Sequence, residues 1–273
     1  MTAPLAYVGS REPWYSREVS SNTQCVLAPN PSVMTLDGTN TWILSAPGSS
    51  HGLVIDPGPR DPAHLDAIEE VLRARGVSHA QILLTHGHND HSEGAVDLAG
   101  RLGSGVRALD PAHRLGGEGL GPGDVVAAGD IEVRVVATPG HTSDSLSFHL
   151  LNDAALLTGD TVLGRGTTVV AHPDGRLVDY LASLDRLRRL AEDARCDNVY
   201  PGHGPALSDP VDLLDTYIEH RRQRLDQVRN AIAEGAATPA AVVATVYVDV
   251  PREVWPAAEL SVRAQWEYLI EGR

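Results

Sequence analysis

The densest chemistry in the chain lies in Thr85-His86-Gly87-His88-Asn89-Asp90-His91, directly after the apolar run Ile82-Leu83-Leu84. Three imidazoles and a carboxylate fall within six residues. Neutral imidazole and carboxylate are the donors that borderline divalent cations such as zinc prefer. The His86 and His88 pair can aim two nitrogens at one ion, while Asp90 and His91 turn toward a second.

Three further donors follow short apolar runs. His141 stands in Thr138-Pro139-Gly140-His141-Thr142, Asp160 ends Leu157-Thr158-Gly159-Asp160, and His203 stands in Pro201-Gly202-His203-Gly204-Pro205, where glycine lets the backbone approach something bulky. Taken singly, His141 reads more often as a turn residue than a ligand, and Asp160 more often as a cap. Together with the first motif they make four strand-end loops that all deliver nitrogen or oxygen, a pattern hard to explain without metal. Two divalent cations about 3.5 to 4 Å apart can share a hydroxide, lower its pKa toward neutrality and clamp an anionic transition state. Hydrolysis is therefore the expected reaction, and no Ser-His-Asp or Cys-His nucleophile is needed. Asp90 is the expected catalytic carboxylate, ligating and also orienting or deprotonating the attacking hydroxide.

Such loops need strands beneath them. Residues 24–56 read as a meander, with Trp42-Ile43-Leu44 and Leu53-Val54-Ile55 cut by Asp37-Gly38 and Pro47-Gly48. Asp61-Pro62 starts a helix carrying Leu65, Ile68, Val71 and Leu72, and Gly76 stops it. A strand at 82–84, a helix at 92–100 and a strand at 106–109 follow. Residues 113–123 hold Gly116, Gly117, Gly119, Gly121 and Gly123 and predict a loop, open between a flap and a surface connection. A hairpin at 125–136 turns at Gly129-Asp130; strands at 146–150 and 155–157, a helix at 178–191 and a strand at 198–200 complete an α/β order. Asp209-Pro210, Thr238-Pro239 and Trp255-Pro256 each start a helix. The expected division is a catalytic domain at 1–208 and a small helical domain at 209–273.

The 273 residues suit one large domain and one small one, and 42% hydrophobic content excludes a disordered chain. No apolar run reaches membrane-spanning length, and residues 1–14 show no apolar signal region, so a cytoplasmic protein without membrane contact is expected. Cys25 and Cys196 lie outside any CxxC spacing and read as buried thiols. All 22 basic residues are Arg, against 36 acidic ones. The resulting charge of −14 gives no basic patch of the kind that grips nucleic acid.

The succession His-x-His-x-Asp-His, Gly-His, Gly-Asp and Pro-Gly-His-Gly resembles the metallo-β-lactamase superfamily over residues 20–208. The resemblance implies a four-layer αββα sandwich with the metals at one edge of the two sheets. Carried over by position, His86, His88 and His141 would hold one metal ion, Asp90, His91 and His203 a second, and Asp160 would bridge them. The expected cofactors are two divalent ions, zinc first. Asp56 in Val54-Ile55-Asp56-Pro57-Gly58 matches a position that props the metal loop, and it reads equally as a turn cap. The best-known class B β-lactamases carry Cys where this chain has Asp160 and are exported, which argues against antibiotic hydrolysis.

Leu36-Asp37-Gly38-Thr39-Asn40-Thr41-Trp42 and the helical tail resemble the lactamase-beta-2-like branch with its winged-helix-like domain, which includes an endoribonuclease acting on single-stranded RNA. On that tail, RNA phosphodiester cleavage stands slightly ahead of thioester hydrolysis of the glyoxalase II kind. A mononuclear-iron persulfide dioxygenase and a non-catalytic nucleic-acid adaptor are the other classes. The partner is thus a small molecule or single-stranded RNA, with a homo-oligomer also expected. Residues 217–273 carry seven Arg and eight acidic residues, so the tail also reads as a lid or packing element. Arg221, Arg222 and Arg224 beside His220 form a basic cluster or a solvated helix face. Arg165 and His172 flank the Asp160 loop, as anion- and leaving-group contacts or as local loop residues.

Overall fold

The computed structural model describes residues 12–248 and 250–271. Residues 1–11, which make up most of the N-terminal segment expected to lack a targeting signal, Asp249 and residues 272–273 lie outside them. Strands β1 (Arg17–Glu18), β2 (Thr23–Leu27), β3 (Asn40–Leu44), β4 (His51–Ile55), β5 (His79–Leu83) and β6 (Val106–Arg107) form one six-stranded sheet in chain order. It is antiparallel from β1 to β4 and parallel from β4 to β6. Strands β7 (Val125–Ala128), β8 (Ile131–Ala137), β9 (Leu146–Leu150), β10 (Ala155–Gly159), β11 (Asn198–Pro201) and β12 (Leu207–Ser208) form a second sheet in the same succession. Only β10 and β11 run parallel there.

Period-two alternation sends each strand's side chains to two cores. Trp42, Leu44, Leu53 and Ile55 face the other sheet, where they meet Val133, Val135, Phe148 and Leu157. Their neighbours Ile43 and Val54 face outward instead, against Leu65, Ile68 and Leu72 of helix α1 (Pro62–Ala74). Helix α1 begins where the Asp61 carboxylate accepts a hydrogen bond from the His64 amide, with Pro62 pre-set for the first turn. Each of its buried aliphatic side chains contributes ~2 kcal/mol. A single turn, α2 (Asn89–Ser92), and α3 (Ala95–Leu102) cover the rest of that face. On the second sheet, Leu156 and Val199 pack under α4 (Leu177–Asp193) and α5 (Pro210–Ala233). The result is the expected four-layer αββα sandwich.

Helix α5 serves two cores. Its Leu214, Tyr217 and Ile218 join Leu184 and Leu187 of α4. Farther along, Val228 and Ala231 join α6 (Pro239–Val246) and α7 (Trp255–Glu271) through Val242, Val243, Ala258 and Val262. The C-terminal region is helical, as expected. Cys25 and Cys196 are buried free thiols. Among the described residues, no helix is long and apolar enough to cross a membrane.

Local boundaries differ where tertiary contacts override chain pattern. Helix α3 starts at Ala95 rather than at 92, because the Gly94 amide docks on the Gly58 carbonyl at 2.9 Å and separates it from the turn at Asn89–Ser92. Strand β6 ends at Arg107, because the Arg114 guanidinium takes the Ala108 and Leu109 carbonyls. The glycine-rich stretch is a pinned connection: Leu115 pairs with Val106 and Leu120 is buried.

Candidate metal centre

The loops that leave β5, β8, β10 and β11 converge at one edge of the sandwich. His86 leads this group, its Nε2 lying 3.1 Å from Nδ1 of His88, and His141 Nε2 lies 3.1 Å from the same atom. These three form one group of ligand atoms. Asp90, His91 and His203 form another, with Nε2 of His91 and His203 3.2 Å apart and Asp90 Oδ2 3.2 Å from His203 Nε2. Asp160 stands between them. Its Oδ2 is 3.6 Å from His141 and 3.3 Å from His203, and its Oδ1 is 3.4 Å from His91. All seven residues singled out in the sequence are therefore brought together.

The outward nitrogens fix which lone pairs face inward. His141 Nδ1 donates to the Val169 carbonyl at 2.7 Å and His203 Nδ1 to the Gly38 carbonyl at 3.1 Å. His91 Nδ1 donates to Asp56 Oδ2 at 2.9 Å. The Thr85 hydroxyl donates to Asp56 Oδ2, so its oxygen accepts from His86 Nδ1 at 3.0 Å. With one nitrogen of each ring donating outward, Nε2 of His86, His91, His141 and His203 presents a bare lone pair. The bare lone pairs of His91 and His203 Nε2, 3.2 Å apart, repel unless positive charge lies between them. Asp160 Oδ1, moreover, is buried without a hydrogen-bond partner. Four Nε2 atoms, His88 Nδ1 and carboxylate oxygens fit divalent cations well.

Without cations, protons take that place. Burial opposes charge on His91, yet Asp160 and Asp56 overcome it and hold the ring well above its ordinary value. The same contest, led on the raising side by Asp160, takes His203 up to about 9. Burial would raise Asp160, but His203 and His91 keep it well below the usual carboxylate range. Burial, with His91 next, pushes His86 well down. His88 is exposed and Asp90 is 30% exposed, so these two stand at the open side of the site.

Backbone economy explains the glycines. A Cβ on Gly202 would sit 2.5 Å from Asp160 Oδ1 and 2.8 Å from His91 Cε1, so the bulky neighbour of the His203 loop is the site itself. Gly140, at φ 137°, has Tyr180 Cα 2.3 Å from where a Cβ would stand.

Asp56 is a prop rather than a mere turn cap. At 2% exposure and φ 52°, it accepts from the Thr85 amide at 2.7 Å and hydroxyl at 2.6 Å as well as from His91. Asn40 was visible in the sequence only as part of a motif. Its amide donates to the Pro201 and Gly204 carbonyls at 2.9 and 2.8 Å and so holds the His203 loop, helped by the Trp42 indole on Pro201. Arg165 pairs with Asp37, and His172 with Glu267 of α7 at 3.1 Å, so both act in local packing. Arg221 is 7% exposed and Arg224 is half-buried; only Arg222 of that cluster is exposed.

Comparison with known proteins agrees with this geometry. Residues 34–203 match the Metallo-beta-lactamase superfamily, and residues 238–267 match the Beta-lactamase associated winged helix domain. The chain is 31% identical to the Beta-lactamase-like protein 2 homolog of Drosophila melanogaster over 89% of its own length and 86% of that protein. It is 33% identical to the lactamase-like protein vrtG of Penicillium aethiopicum, covering 87% of this chain and 77% of that one. A metallo-beta-lactamase family protein from Thermus thermophilus superposes with a TM-score of 0.76 at 22% identity, covering 93% and 95% of the two chains. ETHE1 from Myxococcus xanthus gives 0.59 at 23% identity, covering 89% and 98%. The chain belongs to the metallo-beta-lactamase superfamily, as a hydrolase-fold member whose C-terminal region carries the winged helix domain associated with it.

Proposed function

We propose that the chain is a two-metal hydrolase that cleaves an ester or thioester of a small organic acid. His86, His88 and His141 would hold one cation and Asp90, His91 and His203 the other, with Asp160 serving both. Cations held there supply a Lewis acid for the scissile carbonyl and a water acidic enough to attack near neutral pH. The observation that carries this reading is the placement of Asp160 between two complete trios of donors. Asp90 combines contact with His203 and access to solvent. Burial opposes its ionisation, but the bond to His203 and the charge of His91 keep it ionised, below the usual carboxylate range. In that state it can take the proton of the nucleophilic water and pass it to the leaving group. Asp56 and the Val169 and Gly38 carbonyls orient His91, His141 and His203.

A polyanionic substrate finds little support at the surface. The net charge is −14, and several surface arginines are paired with carboxylates: Arg60 on Asp97, Arg101 on Asp66 and Glu69, Arg188 on Asp215 and Glu192, Arg189 on Asp185, Arg263 on Glu259. The winged helix match favours a second reading, cleavage of single-stranded RNA. Metal content and turnover separate the readings. Two zincs per chain with thioester turnover, lost in Asp90→Ala, support the first; oligoribonucleotide cleavage lost in the same variant would put the second in its place. A single iron with neither activity would move the chain to the dioxygenase class.

A further inference from the structure

Beside the metal centre, a cavity of about 260 Å³ lies between the loop at Val33 and Met34, the segment 167–169, α5 and α7. Its walls are apolar, including Val33, Met34, Val169, Tyr247, Val254 and Ala257. One side is cationic: Arg221 and Arg224 line it beside His220, and among the described residues no Asp or Glu does. Among the described residues the two arginines form no ion pair with a carboxylate. Arg221 is 7% exposed, gives one amino group to the Thr168 carbonyl and lies with its guanidinium carbon 4.9 Å from the Tyr180 ring, yet its Nε is buried without a partner. Arg224 stacks 4.3 Å over Tyr247 and donates to the Val246 carbonyl. His220 Nδ1 is also buried without a partner.

Two arginines facing one small apolar cavity without a counter-ion are costly unless an anion joins them. Burial lowers Arg224 and, with Arg221 and Arg224, pushes His220 down to about 4, so His220 is a neutral neighbour there. The cavity is also tied to the reaction centre, since Thr168 and Val169, which line it, both reach His141 Nδ1. Val33 and Met34 are exposed at 69% and 47%, leaving apolar surface free at its rim. At 260 Å³ it falls just below the ~300 Å³ lower bound of sites for drug-sized ligands, room for one or two fused rings or a short chain rather than a polymer.

We infer that this cavity is the subsite for the remote end of the substrate, an apolar carboxylic acid whose carboxylate meets Arg221 and Arg224 while its body lies against Tyr247 and Val254. The inference rests on the hydrolase reading for its link to turnover and on the cavity alone for binding. Bidentate pairing with guanidinium distinguishes a carboxylate from a neutral analogue of the same shape.

The test is calorimetric titration of the metal-loaded chain with 2-naphthoate and with neutral 2-naphthamide, in wild type, Arg224→Met and Ala257→Trp, each checked for its melting transition. Wild type should prefer the acid by about tenfold or more, Arg224→Met should erase that preference, and Ala257→Trp should block both ligands. Naphthoate binding that ignores both variants, or no binding at all, overturns the subsite. In turnover, Arg224→Met should raise KM for a thioester bearing a distal carboxylate with kcat little changed. If wild type turns over no thioester while the titration behaves as stated, the hydrolase reading fails and the binding site stands.

Discussion

Asp56 Oδ2 lies 2.9 Å from Nδ1 of His91, and the same carboxylate holds the amide and hydroxyl of Thr85, so one buried side chain ties the start and the end of the His86–His91 loop together. The backbone of Asp56 adopts the left-handed conformation to do this. That conformation costs a non-glycine residue about 1 kcal/mol or more, which the three bonds offset.

Replacement of Asp56 by Asn removes an acceptor that His91 and the Thr85 hydroxyl share. The second cation should then bind about 10–100-fold more weakly, the usual cost of losing an outer partner of a ligating histidine. Competition against a chromogenic chelator reads it. Unaltered affinity would mean that Asp56 serves the turn alone.

Gly202→Ala tests the close approach. Its Cβ would fall 2.5 Å from Asp160 Oδ1, so either Asp160 moves or the β11 end shifts. Overpacking of this kind costs about 1–3 kcal/mol. Metal content should drop below one ion per chain while the fold survives by circular dichroism. Full metal loading would show that the loop yields without disturbing Asp160.

How much of this was legible in the sequence depends on what decides each feature. Candidate metal donors need particular side chains, so His86, His88, Asp90, His91, His141, Asp160 and His203 could be singled out before any fold was known, and the structure brings them together. Most strands were readable as apolar runs cut by turn-formers, such as Trp42-Ile43-Leu44, whose side chains divide between two cores, whereas the two-residue edge strands Arg17–Glu18 and Leu207–Ser208 carry no such run. The start of α3 was not, because the Gly94–Gly58 contact that sets it joins loops far apart in sequence. Arg221 and Arg224 looked like part of a solvated face, since a helix pattern cannot reveal that α5 packs on α4 in one half and on α6 and α7 in the other. Asp56 remained open between two roles until Thr85 and His91 were seen around it.

Asn40 offers a prediction that composition alone would never suggest. Its side chain donates to the Pro201 and Gly204 carbonyls and accepts from the Trp14 indole at 3.0 Å and the Cys25 thiol at 3.3 Å. Asn40→Ala removes these four bonds and leaves the Gly204 carbonyl and the Trp14 indole without their side-chain partner, while Pro201 keeps the Trp42 indole, at about 2–4 kcal/mol in total. Because His203 rides on that loop, affinity for the second cation should fall as well. A melting temperature lowered with metal affinity intact would confine Asn40 to a structural part.

His64 supplies a pH dependence away from the donor cluster. It is 3% exposed, its Nε2 meets the Thr41 hydroxyl at 2.9 Å, and burial, opposed by Asp61 and the Pro57 carbonyl, lowers it to about 4. The folded chain therefore disfavours the proton that the unfolded chain accepts near the ordinary value of 6.5. Stability from this group is complete above that value and is lost as pH falls toward about 4, a loss of about 3 kcal/mol over the window. His64→Gln keeps a polar group for Thr41 and removes the titration. Denaturant melts of both proteins at several pH values between 7 and 4 should thus converge in acid, wild type losing more than the variant. A constant gap between them would show that His64 carries its proton as readily in the fold as in the unfolded chain.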